Sequence, residues 1–393
     1  MKILALNGLL GYGYSEAALQ NAFLEPPDFI GADGGSTDPG PYYLGKGIAF
    51  TDRAAVKRDV SLALAPALAA KAPFIVGTAG GSGSAAHLDW LRDIFLEIAG
   101  EQRLSFRMAL IYTDVGQSYL LQKLESGHVL PLGALPLSAE AIRNTCRAVS
   151  QIGPEPIMEA LRAGADVVLA GRACDTAIYA APCLLRGFDP GLSFHMAKIM
   201  ECGAMCASPM AAADVMQGYM YDDYFELCPA SPRRRCTVQN VAAHTMYEQG
   251  DPYRVVEPGG TAELSGCRYE QVTERRVRVS GSRFLPAGAP TLKIEGVRLA
   301  GYRAVSIAGI NDPLSIRAID TIFEGAKRFA AEATADTLSG EDYRVMLRKY
   351  GTPLDPAAAP AMPNHSLGIV LDVVGKTQAV ADRILPQVRS RML

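Results

Sequence analysis

The stretch PFIVGTAGGSGS, residues 73–84, decides the fold class. Pro73-Phe74-Ile75-Val76 is apolar at every position, a glycine-rich loop follows, and Ser84 to Ala99 reads as a helix. A short run that is apolar throughout is a strand buried on both faces. The same strand–loop–helix rhythm recurs on either side. Upstream, Lys2–Leu6 and Asp28–Gly31 read as strands, and Ser15 is placed to cap a helix running to Leu24. Residues 51–70 read as a helix with Val56, Val60, Ala63 and Leu64 on one face and Pro66 as a kink or stop. Downstream, strands are expected over 106–112 and 165–170, and helices over 117–125, 138–149, 154–163, 174–186 and 191–206. This predicts an α/β fold over residues 1–215: a mostly parallel sheet with helices on both faces.

Composition shifts after residue 215, and a smaller α+β C-terminal region is expected over 216–393. TVQNVAAH (237–244), RRVRVSGSRF (275–284), TLKIEGVRL (291–299) and GYRAVSIAGI (301–310) read as strands, with a hairpin turn at Ser280-Gly281. Residues 315–333 read as a helix, the segment from Ser366 as a strand and then a helix, and TPLDPAAAPAMP (352–363) as a surface connection.

The 38 Lys and Arg nearly balance the 41 Asp and Glu, which argues against a nucleic-acid binder. Eight cysteines in 393 residues are too sparse for a disulfide scaffold and suit a reducing cytoplasm. The apolar N-terminus has one lysine and is broken by Gly8, Gly11 and Gly13, so it reads as a strand and turn rather than a leader. No run is long enough to span a membrane.

In a parallel sheet, ligands bind outside the carboxyl ends of the strands. That rule singles out five loops: Asn7–Gly13, Asp33–Pro39, Gly77–Ser84, Thr113–Gly116 and Gly171–Asp175. The second lies in GADGGSTDPG (31–40). Its backbone at Gly34 and Gly35 and its hydroxyls at Ser36 and Thr37 can cradle an anion, and Asp38 can carry a proton. The alternative is a tight loop whose aspartates cap their neighbours. In GTAGGSGS (77–84), Gly80, Gly81 and Ser82 precede a helix N-terminus, which suits a carboxylate or phosphate. The spacing Gly81-x-Gly83-x-x-Ala86 also fits a dinucleotide fingerprint, but no acidic residue follows at the ribose position.

GRACDT (171–176) offers Arg172 for a carboxylate, Asp175 as a base, and Cys174 as a thiol that is either packed or nucleophilic. Asp114 ends the fourth strand and is a further acid–base candidate. In SFHMAKIMECGAMC (193–206), His195, Lys198 and Glu201 recur every three residues, as acid–base partners or as a buried network. Cys202 and Cys206 with His195 could hold a metal, but packed thiols are the plainer reading. The basic run Arg233–Arg235 reads as a solvated loop.

Three of these segments carry a resemblance. GADGGSTDPGPYYLG (31–45), GADVVLAGRACDTAIYAAP (164–182) and FHMAKIMECGAMCASP (194–209) together resemble the acyclic terpene utilisation, or AtuA-like, family. The segments KYG (349–351) and LGIVLDVVGKTQAVAD (367–382) are similar to it as well. The resemblance implies a small carboxylate or acyl thioester as ligand, in the breakdown of branched acyclic acids. Some members carry, or are encoded beside, a small additional domain, which implies a small partner subunit. The second loop departs from the form of the terpene-linked branch, which points away from a terpene as substrate.

The expected function is therefore a cytoplasmic hydratase/lyase or isomerase of carboxylic acid or acyl-thioester catabolism, assembled as a homo-oligomer. Asp38, Asp114, Asp175 and His195 are its acid–base candidates. Gly34, Gly35, Ser36, Thr37, Gly80, Gly81, Ser82 and Arg172 are its substrate-binding candidates. No metal ligand set is assigned and no cofactor is required, although a divalent metal is compatible. The alternatives are a non-catalytic acyl-ligand-binding subunit of a two-component enzyme, and an NAD(P)-dependent oxidoreductase.

Overall fold

The structure is a computed structural model, and it describes residues 1–392 except 7, 36–39, 134–135, 212 and 352–365. Two compact units divide the chain, Met1–Arg298 and Leu299–Leu393.

The first unit opens with β1 (Lys2–Leu6), α1 (Glu16–Phe23), β2 (Phe29–Asp33), α2 (Pro41–Lys46), α3 (Arg53–Ala69), β3 (Phe74–Gly77), α4 (Ala85–Gln102) and β4 (Met108–Ile111). It continues through α5 (Gln117–Glu125), α6 (Ala139–Arg143), β5 (Thr145–Gln151), α7 (Glu155–Arg162), β6 (Val167–Ala170), α8 (Ala177–Leu185) and α9 (Pro190–Met200). Then come β7 (Ala207–Ser208), β8 (Val215–Met220), β9 (Tyr224–Pro229), β10 (Arg235–Cys236), α10 (Val238–Thr245), β11 (Arg254–Glu257), β12 (Gly260–Glu263), β13 (Arg268–Gln271), β14 (Val277–Ser280), β15 (Arg283–Pro286) and β16 (Lys293–Arg298).

The central sheet has nine strands in the order β13-β14-β9-β8-β1-β2-β3-β6-β4. β1, β2, β3, β6 and β4 run parallel, and β8, β9, β14 and β13 extend the sheet antiparallel from β1. The fold is thus mixed α/β with several small antiparallel sheets beside the large one. The parallel strands bury alternate residues in two separate cores. Leu4, Leu6, Ile30, Ala32, Phe74, Val76, Val167 and Leu169 pack with apolar residues of α1, α3 and α4. Ile3, Ala5, Phe29, Ile75 and Val168 pack with α7, α8 and α9. α4 shows why: Leu88, Leu91, Phe95 and Ile98 recur at helical spacing and line its buried side. α3 runs three residues past Pro66.

Several elements depart from the sequence reading. TVQNVAAH is helix α10 rather than a strand, and Thr237 caps it by accepting from the Asn240 amide at 3.2 Å. The helix expected over 138–149 stops at Arg143, and residues from Thr145 form β5, paired with β16. Ser280-Gly281 does not close a hairpin. β14 pairs with β9 and β13, whereas β15 pairs with β12, so the chain changes sheets there. The compositional shift near 215 is not the break between the compact units, because β8 pairs with β1 and β9 with β8, in the same sheet.

The second unit holds β17 (Tyr302–Ile310), α11 (Pro313–Thr334), β18 (Tyr343–Tyr350), β19 (Leu367–Gly375) and α12 (Gln378–Met392). β19 lies between β17 and β18 and is antiparallel to both. Ala304, Leu371 and Val373 pack against Phe323, Ala330, Ile384 and Val388 of the two helices. TPLDPAAAPAMP lies outside the described residues.

Candidate functional site

Backbone bonds tie the loops at the strands' carboxyl ends to one another. Leu10 N donates to Asp33 O at 2.7 Å, Gly34 N to Gly77 O at 2.8 Å, Thr78 N to Gly171 O at 2.9 Å and Arg172 N to Gly83 O at 3.1 Å. Thr113 Oγ1 donates to Gly83 O at 3.1 Å and accepts from Arg172 N at 2.8 Å. A Cβ on Gly83, at φ +72°, would lie 2.1 Å from Arg172 N, so only glycine allows this approach. The candidates Gly80, Gly81 and Ser82 are all buried in this knot, and Gly35 packs on Gly81. Ser36, Thr37 and Asp38 lie outside the described residues.

Arg172 is 2% exposed, and its guanidinium is held by the protein itself. Nε and one terminal nitrogen donate to the two oxygens of Glu295 on β16, at 3.3 and 3.2 Å. The other terminal nitrogen donates to Ala173 O at 2.6 Å, Thr78 Oγ1 at 3.2 Å and Asp175 Oδ1 at 3.4 Å. Burial pushes the Glu295 carboxyl up, but Arg172 and then Lys293 outweigh it and leave it below its usual range. A substrate carboxylate at Arg172 must therefore compete with Glu295. Thr78, not singled out by sequence, sits at φ +46°, a strained conformation for a β-branched residue, and its hydroxyl braces Arg172.

Beyond Asp175 lies a buried cluster of ionisable groups from the connection between β6 and α8, the C-terminal end of α9 and the end of β11. Thr176 Oγ1 donates to Glu257 at 2.5 Å, and Cys174 Sγ lies 3.8 Å from the same carboxylate. Lys198 pairs with Glu201 one turn along α9. Burial raises the Glu257 carboxyl to about 8, against the Thr176 hydrogen bond and the Lys198 charge. Burial first, and then the Asp175 charge, lifts Glu201 well above the carboxylate range. Burial works against the Lys198 ammonium, and Glu201 more than restores it. Both directions mean that the Lys198–Glu201 pair keeps its protons to higher pH than the separate groups would. Two buried polar atoms beside the cluster have no hydrogen-bond partner among the described residues: the Tyr179 hydroxyl and His244 Nε2. Tyr179 is in the field of Asp33, Glu201 and Asp175, and His244 in that of Lys198. Burial raises the Cys174 thiol, which opposes a thiolate there.

Other candidates are occupied elsewhere. Asp114 accepts from the Ala85 amide at 2.8 Å, so the N-terminus of α4 is capped by the protein's own carboxylate. Beside it, His87 lies between Ser84 Oγ (2.6 Å from Nδ1) and Ile48 O (2.9 Å from Nε2). His195 is on α9, one turn before Lys198, but its ring is bonded to other elements. Its ring nitrogens meet Ser282 Oγ at 2.7 Å and Thr245 Oγ1 at 3.0 Å, and burial brings it down to about 3, so it is neutral at pH 7. His195, Cys202 and Cys206 form no ligand set, and no metal-binding group of three or more His, Cys, Asp or Glu occurs among the described residues. Arg234 is buried on Asp214 at 2.9 Å, so the basic run is partly structural. An open cleft of roughly 520 Å³ lies beside the first loop, lined by Gly11, Tyr12, Tyr14, Arg58 and Asp59. Asp59 takes the Gly11 and Gly13 amides there, at 2.8 and 3.1 Å. The buried cluster does not line that cleft.

The model of the acyclic terpene utilisation family protein AtuA matches residues 57–214 and 229–324. The chain belongs to this family. The AtuA match takes in Thr78, Arg172, Asp175, Lys198, Glu201, Glu257 and Glu295, and begins after GADGGSTDPG. Comparison with curated proteins and with solved structures found no match. No helix among the described residues is long and apolar enough to cross a membrane. All eight cysteines are free.

Proposed function

We propose that this protein is an enzyme acting on a small organic carboxylate or its thioester, as a hydratase/lyase or isomerase. The AtuA family's description supplies the setting, acyclic terpene utilisation. The observation that carries the chemistry is Glu257: a carboxyl raised to about 8, hydrogen-bonded to Thr176 and in the field of Lys198. A group poised near neutral pH can both take and return a proton. In this reading Glu257 is the base or acid, and Lys198 stabilises negative charge developing on the substrate's carbonyl. The Tyr179 hydroxyl and His244 supply hydrogen bonds to the ligand. Arg172 and Asp175 hold one wall, with Gly34 and Gly35 beside the β3 loop. Entry is proposed beside Tyr247 and Glu248, whose exposed side chains lie over Lys198 at 6.0 Å and 3.9 Å. The free cysteines support a reducing, cytoplasmic location.

The test is turnover of hydroxy acids, unsaturated acids and their thioesters by the purified chain, with and without divalent metal and NAD(P). Glu257→Gln should lower the rate by about 100-fold or more. If Glu257 is the base, kcat/KM rises with pH to a plateau above about 8. Full activity in Glu257→Gln sinks the assignment. Turnover appearing only on addition of a second subunit, and lost with that subunit's variants alone, would favour the non-catalytic reading.

A further inference from the structure

The second unit has two edge strands of different character. β18 carries Arg344, Arg348 and Lys349, charges of the kind that discourage strand addition. β17, YRAVSIAGI, has one charge, no proline, and a register with β19 unbroken over nine residues. Its one charge is paired, because Arg303 donates to both oxygens of Asp372 at 2.6 and 2.7 Å, a carboxylate that Arg348 also approaches at 3.6 Å. No strand among the described residues pairs with its outer edge, and of its carbonyls Arg303 O accepts from Gln378 at 3.4 Å. Ala304, Ala308 and Ile310 face the helices. The opposite side shows Val305, 42% exposed, and Ile307, 77% exposed. A long unblunted edge beside exposed β-branched residues is a template for another strand.

We infer that β17 is an assembly surface on which two copies of this chain pair edge to edge, antiparallel, joining their three-stranded sheets into one of six. Self-complementarity selects a second copy over a different protein. With the two-fold axis at Ser306, Val305 faces the partner's Ile307 and Arg303 faces the partner's Gly309. No like charges meet, and both exposed apolar side chains gain apolar cross-strand neighbours. The same patch serves both subunits, so the contact closes at two and does not propagate. A strand without free charge offers nothing by which a charged partner would be chosen.

The experiment is sedimentation of the full-length chain over a concentration series, beside hydrogen exchange of the segment Tyr302–Ile310. The expected result is a dimer whose β17 amides lose protection on dilution while those of β18 do not. Ile307→Lys, at a position already exposed and so neutral to folding of the monomer, should weaken the dimer by about tenfold or more, with an unchanged melting temperature at dilutions where both proteins are monomeric. A monomer at all concentrations overturns the inference. So does a dimer insensitive to Ile307→Lys, or protection of β17 only by a different polypeptide.

Discussion

At the scale of the residue, burial decides which acids matter. Glu257 keeps its proton in the folded chain up to about pH 8, whereas an unfolded glutamate loses it near its ordinary value of 4.5. Between those limits the folded state binds the extra proton, so this residue's contribution to stability is full below the window and lost as pH rises through it. Glu257→Gln removes that loss. Urea unfolding should therefore show the variant gaining on the wild type as pH rises from about 5 to 8, by at most about 1.4 kcal/mol per pH unit. A difference flat with pH would mean that Glu257 is ionised in the fold. Arg172→Ala makes the opposite kind of change, removing a buried guanidinium from Glu295 and Asp175 and leaving Glu295 with Lys293 alone as its cation. A loss of about 3 kcal/mol or more is expected, read as a lower urea midpoint. An unchanged midpoint would show that the Arg172–Glu295 pair is not structural.

At the scale of the element, the loops act as one knot. Gly83 holds the β3 loop against the β6 loop, and Thr113 brings in β4. Gly83→Ala sets a strained φ and a backbone clash together, so a loss of roughly 2 kcal/mol or more is expected in chemical denaturation. Near-wild-type stability would mean that the loops part easily, and that Arg172 is not held by them. The sequence placed these loops at one end of the sheet, because continuous apolar strands between helices leave few other topologies. It gave no sign of the acids that meet Arg172 and Thr176. Glu257 stands in an alternating strand and Glu295 in KIEGVR, and neither has a local signal. Asp175 and Arg172 were legible because they follow a strand directly. His195 was misleading: its helical spacing with Lys198 and Glu201 is real, but its ring turns to Ser282 and Thr245.

At the scale of the whole molecule, the two units have separate cores. Those built on Ala304, Leu371, Val373, Leu367 and Ile369 draw, among the described residues, on none before Leu299. A segment with its own core is able to fold alone. Residues 299–393 expressed separately should therefore melt cooperatively by circular dichroism, and a featureless melt would contradict this. The expected boundary near 215 followed a change of composition, from helix-rich to strand-rich. The large sheet continues across that change through β8 and β9.

What the sequence determined by itself is what local chemistry can express. Unbroken apolar runs set the parallel strands, helical spacing set α3 and α4, and glycine-rich turns marked the strands' carboxyl ends. The family signature was likewise legible in GADVVLAGRACDT and FHMAKIMECGAMC. The tertiary structure alone decided which acids share a site and which sheet each C-terminal strand joins. Glu295 reaches Arg172 across 123 positions and Glu257 reaches Thr176 across 81. Their pairing depends on burial and on electrostatics between elements, which leave no periodic trace in the chain. TVQNVAAH is a different case: Thr237 supplied a local cap, and packing of Val241, His244 and Thr245 overrode a weak β preference.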